Sequence, residues 1–229
     1  MNQPQKSTFG IFSVLGFVLS ALSAFSPVAR GQVVPARSQD LQAGDSEFGI
    51  WASYAPYAPH VIGVTSPRQF GVFGFRYGHL IFDKPRASLE YTLDVMPVAI
   101  MLQPKILGAV INPHGHTTYL TGSREVVYGG GVNPLGLKLN FFRDHKFQFF
   151  GASTAGFISS VRRIPVDFHG ETQFNFNFDF QLAFQLYNSS RTRSWIFGYK
   201  FQHISNGYRG QINPGVDLEG LFMGYSFFK

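Results

Sequence analysis

The sequence predicts an all-β chain, an eight-stranded antiparallel transmembrane β-barrel. Three observations carry that prediction. First, Thr172 to Tyr187 alternates without a break. Phe174, Phe176, Phe178, Phe180, Leu182, Phe184 and Leu186 fall in one row; Asn175, Asn177, Asp179, Gln181, Ala183 and Gln185 fall in the other. Strict alternation puts the two rows on opposite faces of a strand. The run outlasts a usual soluble strand of about five or six residues and suits a tilted membrane-spanning strand of roughly 9–11. Second, segments of this kind recur to an even total of eight. Third, the connections between them alternate between short and long, as the turns and loops of outer-membrane barrels do.

Taken in order, strands are expected over 46–54, 69–81, 86–97, 125–142, 146–158, 172–187, 194–206 and 216–228. In the second, Phe73, Phe75 and Tyr77 oppose Val72, Gly74 and Arg76. In the third, Leu89, Tyr91, Leu93 and Val95 oppose Ser88, Glu90, Thr92 and Asp94. The fourth is interrupted by Pro134, beyond which Leu135, Leu137, Leu139 and Phe141 oppose Gly136, Lys138 and Asn140. The last ends with Leu221, Met223, Tyr225 and Phe227 among small residues, like the aromatic-ended final strand of outer-membrane proteins, although Lys229 follows. Short gaps fall at 82–85, 143–145 and 188–193, and longer ones at 55–68, 98–124, 159–171 and 207–215. Closure of the sheet removes the edges along which such strands would aggregate. The alternative is a soluble sandwich or lipocalin-like barrel with the apolar row inside. Seven large apolar side chains from one strand would overfill so small an interior, whereas the opposing Asn, Gln and Asp suit a narrow polar lumen.

The N-terminal segment reads differently. Lys6 precedes the apolar run Phe9–Phe25, and small residues around Ala24 and Ala29-Arg30-Gly31 follow. That order is the pattern of a secretory signal peptide; the run is also near the short limit for a membrane anchor. The expected organisation is a signal peptide over 1–31, a linker over 32–45 and the barrel over 46–229, with the bacterial outer membrane as destination. There is no cysteine, so stability cannot come from disulfides, the usual device of small exported domains. The net charge is +6, but only 14% of residues are charged and the basic ones are not clustered, which excludes a nucleic-acid binder. No cofactor is expected, and the sequence leaves a homodimer open.

In "WIFGYKFQHISNG", Trp195–Gly207, the oily row Trp195, Phe197, Tyr199, Phe201 continues into His203 and Ser205. In the next strand Asp217 and Glu219 precede Leu221 and Met223 in one row. Consecutive antiparallel strands pair with neighbours about 5 Å apart, so a hydroxyl, an imidazole and a carboxylate converge on the lipid-facing side. With the exported N-terminus left in the periplasm, this end of the seventh strand lies near the external rim, where a charge on the lipid face costs only about 0–1 kcal/mol. Serine becomes a nucleophile when a base takes its proton; His203 is that candidate base, oriented by Asp217 or Glu219. Asn206, Asn213 and the backbone amides of "NGYRGQINPG" are candidate oxyanion or positioning groups. A structural interface belt would use the same residue types.

"FQHISNGYRGQINPGVDLEGLFMGYSF" resembles the C-terminal signature of the lipid A 3-O-deacylase family (PagL), grouped with acyloxyacyl hydrolases, and Gly129–Phe142 resembles the family's middle region. The likeness implies an eight-stranded outer-membrane barrel with a Ser-His-Glu triad on its outer wall. His203, Ser205 and Asn206 match the His-x-Ser-Asn motif; Asn213 and Gly215 match the stretch after it. Asp217 stands where the family has Glu. Being one methylene shorter, it requires the strands to approach or shift, and Glu219, about 6.6 Å further along, is the reserve acid. The implied function is a serine esterase that removes an ester-linked acyl chain from lipid A or a related outer-leaflet lipid. The alternative is a non-catalytic outer-membrane barrel: structural, small-pore or lipid-binding.

Three further motifs weigh less. His114 and His116, with His60 or His79, offer too few ligands to specify a metal, and none is expected. "YGGGVNPLG" lacks the lysine and helix of a phosphate loop. Arg124, Arg162 and Arg163 are either rim contacts for lipid phosphates or ordinary loop charges.

Overall fold

The computed structural model describes residues 41–65, 67–111 and 117–229. The expected signal peptide and most of the 32–45 linker lie outside the described residues, as do His114 and His116. Eight strands follow one another: β1 (Ser46–Tyr57), β2 (Gln69–Asp83), β3 (Ala87–Ile111), β4 (Thr117–Phe141), β5 (Phe147–Ser160), β6 (Phe174–Tyr187), β7 (Arg193–Ser205) and β8 (Val216–Phe228). Each pairs antiparallel with the next, and β1 pairs with β8 to close the barrel.

The faces sort as the alternation dictates. On β6, Phe176, Phe178, Phe180, Leu182, Phe184 and Leu186 are exposed on the outside, while Asn175, Asn177, Asp179, Gln181 and Gln185 are buried inside. That is the reverse of a soluble lipocalin-like barrel, whose apolar row would fill the centre; here the phenylalanine face requires lipid as its solvent. The interior holds interlocked polar groups beside buried apolar side chains such as Trp51, Phe150 and Phe222. Arg76 donates two hydrogen bonds of 2.7 Å to Asp94 and one to Gln181, which donates to Asp179. Asp179 also accepts from Thr154 and Asn133 and pairs with Lys200 at 3.0 Å. Lys138 bridges Glu47 and Glu90. Buried charges are tolerable only when paired in this way. Removing Asp94 while leaving Arg76 is expected to destabilise the barrel by about 3 kcal/mol or more, read as a lower urea midpoint for Asp94→Ala in detergent.

Two boundaries differ from expectation. The predicted long loop over 98–124 is mostly strand: β3 runs on to Ile111 and β4 starts at Thr117. Pro97, taken as a strand end, sits at a register shift between the pairs Met96–Gly131 and Ala99–Gly129; a bulge accommodates the missing N–H and pairing resumes. Beyond Leu102 β3 has left β2, and above Gly129 β4 has left β5, so the two continue as a hairpin paired only with each other. The end of the expected linker also has a structural place. Leu41 is buried with Leu80, Tyr187 and Phe228, and Gly44 N–H donates to the Leu80 carbonyl, so this segment caps the short-turn end of the barrel.

Candidate active site

β7 ends at Ser205 in a tight turn, Asn206–Arg209. Gly207 and Tyr208 both take φ near +61°, and Arg209 N–H donates to the Asn206 carbonyl, closing a mirror-image type I turn. The chain returns through Asn213-Pro214-Gly215 into β8. Gly215 has φ +57°, and a Cβ there would lie 3.1 Å from His203 Cε1. Only glycine allows both the left-handed backbone and its close approach to the imidazole.

His203 and Asp217 are direct register partners across β7 and β8. His203 Nδ1 lies 2.6 Å from Asp217 Oδ1. The strands therefore need no shift to accommodate the shorter acid; direct pairing brings it within reach. The other carboxylate oxygen is occupied as well. Asp217 Oδ2 accepts backbone N–H bonds from Val61 at 2.7 Å, Ile62 at 2.6 Å and Gly63 at 2.9 Å. That loop is fastened alongside by Val64 N–H to the Pro214 carbonyl and by the Thr65 hydroxyl to the Gly215 carbonyl. At Gly63 a Cβ would come within 2.8 Å of the Gly215 and Val216 backbone. Asp217 is thus fully buried under the loop although His203 keeps 16% of its side-chain surface exposed. An acceptor-only group removed from water requires this many donors. In the tautomer that carries its proton on Nδ1 and donates it in a hydrogen bond to Asp217 Oδ1, Nε2 has the free lone pair.

His203 and Ser205 share the parity of exposed Trp195, Phe197 and Tyr199, opposite to buried Ser194, Lys200 and Gln202. They are successive members of that row, about 6.6 Å apart along the strand. No hydrogen bond joins them among the described residues; such contacts tighten when substrate binds. Glu219 lies one pleat along from Asp217, opposite Phe201 of β7.

Asn206, of the opposite parity, is buried. Its two side-chain N–H groups are both committed, to Glu171 Oε2 at 2.9 Å and the Ile212 carbonyl at 2.6 Å, and its backbone N–H donates to Asn213 Oδ1 at 3.0 Å. Asn213 Nδ2 has no partner among the described residues. Arg162 pairs with Glu125 and Asp167, and Arg163 with Asp167. No group of three or more metal-ligating side chains occurs among the described residues. Sequence reasoning missed the Val61–Gly63 cradle and Glu171. Neither carries a periodic or motif signal, since both belong to loops brought in by the closed fold.

Against this geometry stand the comparisons with known proteins. The family model described as lipid A 3-O-deacylase (PagL) matches residues 105–226, more than half of the chain. The chain belongs to the lipid A 3-O-deacylase (PagL) family. With its barrel, that makes it an outer-membrane protein of the lipid A deacylase family. The crystal structure of the outer membrane enzyme PagL superposes with a TM-score of 0.50 at 12% identity, covering 79% of this chain and 97% of that one. Outer membrane protein OprG from Pseudomonas aeruginosa gives 0.43 at 12% identity, covering 82% and 97%. Yersinia pestis Ail in a phospholipid bilayer nanodisc gives 0.34 at 12% identity, covering 80% and 99%. At such identities the PagL superposition bears on the fold alone, and the other two overlap too loosely to bear on this chain. No curated protein matches it.

Proposed function

We propose that this PagL-family barrel is an outer-membrane lipid esterase that removes an ester-linked acyl chain from lipid A or a related outer-leaflet lipid. Ser205, His203 and Asp217 act together on the lipid-facing wall near the external rim. The observation that carries the reading is the 2.6 Å contact between His203 Nδ1 and Asp217 Oδ1, which leaves Nε2 uncommitted to the acid and available as the base.

In the reaction, His203 Nε2 takes the Ser205 hydroxyl proton as Oγ bonds to the ester carbonyl carbon. The tetrahedral intermediate collapses when the C–O bond to the lipid's alcohol breaks, and His203 returns the proton to that leaving oxygen. Water then attacks the acyl-serine with His203 again as base, and a fatty acid departs. Asp217, anchored by three peptide N–H groups, fixes the tautomer throughout. Asn213 Nδ2 and the Gly207 backbone N–H are the donors proposed for the developing oxyanion. Asn206, with its donors committed, positions the loop that carries them. Exposed Val61, Ile62 and Val64 suit a loop that meets acyl chains arriving sideways from the bilayer.

Mass spectra of lipid A from cells with and without the protein test this reading. A loss equal to one acyl chain is expected. Unchanged lipid A in cells that contain the folded barrel counts against it.

A further inference from the structure

Glu171 sits in the loop between β5 and β6, almost wholly buried, and its hydrogen bonds among the described residues go to Asn206 and Thr172, not to Ser205, His203 or Asp217. Its Oε2 accepts from Asn206 Nδ2 at 2.9 Å and from the Thr172 backbone N–H at 3.2 Å. Two oxygens next to that contact are orphaned. Glu171 Oε1 and Asn206 Oδ1 are both sealed from solvent, and neither has a hydrogen-bond donor among the described residues. They belong to the two groups already joined by one hydrogen bond. A carboxylate paired with the amide by that one bond leaves both remaining acceptors unsatisfied, at a cost of roughly 1–3 kcal/mol each. A carboxylic acid resolves both at once: its O–H on Oε1 donates to Asn206 Oδ1 while Asn206 Nδ2–H donates to Oε2.

We infer that Glu171 is held as the neutral acid in a cyclic acid–amide pair with Asn206, and that it is a positioning residue for the nucleophile strand. The inference rests on the reading of Ser205 as nucleophile. Asn206 directly follows Ser205, and its amide ties the β7–β8 loop to the β5–β6 loop. The two loops are in backbone contact there: Ile212 N–H donates to the Gly170 carbonyl at 3.2 Å, and a Cβ on Gly210 would collide with that same carbonyl. A charge placed on Glu171 would therefore loosen the loop that carries Asn213 and Gly207.

The electrostatic surroundings agree. Burial pushes the Glu171 carboxyl up to about 7, opposed only by the Thr172 and Asn206 hydrogen bonds. Nearby charges are engaged elsewhere: Asp167 with Arg162 and Arg163, Arg209 over the Phe174 ring, and Arg68 on the Pro165 carbonyl. His169, on the same loop, is exposed. A carboxyl raised above its unfolded value stabilises the fold while it is protonated. That contribution is complete below the ordinary carboxylate range and is lost as pH rises through about 7.

The test uses the full protein in detergent micelles with lipid A, across pH, as wild type, Glu171→Gln, Glu171→Ala and Ser205→Ala. Gln can form the same two-bond ring with Asn206 but cannot ionise. Glu171→Gln should keep kcat within about twofold at neutral pH and lose the alkaline decline that wild type shows, whereas Glu171→Ala should lose about tenfold in kcat at every pH. An infrared difference spectrum of wild type against Glu171→Gln should show a protonated carboxyl band that fades with a midpoint near 7. Absence of that band below neutral pH, or an alkaline decline that survives in Glu171→Gln, overturns the inference. Turnover retained in Ser205→Ala would remove the nucleophile reading instead, and the infrared band would still decide where the Glu171 proton sits.

Discussion

Ser205→Ala is expected to cut lipid A deacylation by roughly 10⁴-fold or more while the barrel stays folded. In the proposed mechanism the hydroxyl is the atom that forms the acyl-enzyme, and direct attack by water would not replace it at comparable rate. Nothing in the fold depends on that atom. Ser205 pairs through its backbone with Phe176 of β6, and its hydroxyl makes no hydrogen bond among the described residues. Heat-modifiable migration should match wild type, and the binding of intact lipid A should be nearly unchanged. Turnover near the wild-type rate would take the nucleophile role away from Ser205.

Asp217→Asn should reduce kcat by about 10³–10⁴-fold, a loss as large as the nucleophile's neighbours can cause. Two placements of the new amide are available, and both fail. If its oxygen keeps the three N–H bonds from Val61, Ile62 and Gly63, its NH₂ faces His203 Nδ1. The imidazole must then accept there, and its proton moves to Nε2, where a base is needed. If the amide flips, its NH₂ faces three N–H donors and the loop is repelled. Asp217→Glu is expected to do no better than partial activity despite the family's preference for Glu, because the extra methylene pushes the carboxylate out of its cradle. Hydrogen exchange at Val61, Ile62 and Gly63 separates the two failures: protection is retained in the first and lost in the second. An Asp217→Asn protein with undiminished kcat would show that the acid has no orienting role.

Much of this was legible because the barrel repeats one rule. In β6 the phenylalanines and asparagines declare their faces at every step, and the parity carried along β7 and β8 sets His203, Ser205 and Asp217 on the same side from sequence alone. Register was less legible. The sequence could not say whether His203 lay opposite Asp217 or Glu219, since pairing depends on how the Asn206–Gly215 loop closes. Pro97 concealed the upper part of β3 because a proline ends most strands, and only the pairing with β4 shows that a bulge absorbs it. Asn206 was expected near an oxyanion as well as in a positioning role; its even parity turns its side chain inward, and only the Glu171 contact shows how its donors are used. Val61–Gly63 had no periodicity to read.

The paired extension of β3 and β4 makes the barrel wall unequal in height. Residues 103–111 alone, in extended form, rise roughly 30 Å past the last rung shared with β2. In the closed strand order this mast stands diametrically across from β7 and β8. A bulky particle arriving from that end would meet the tall side first, and a molecule diffusing within the leaflet would reach the low side without passing it.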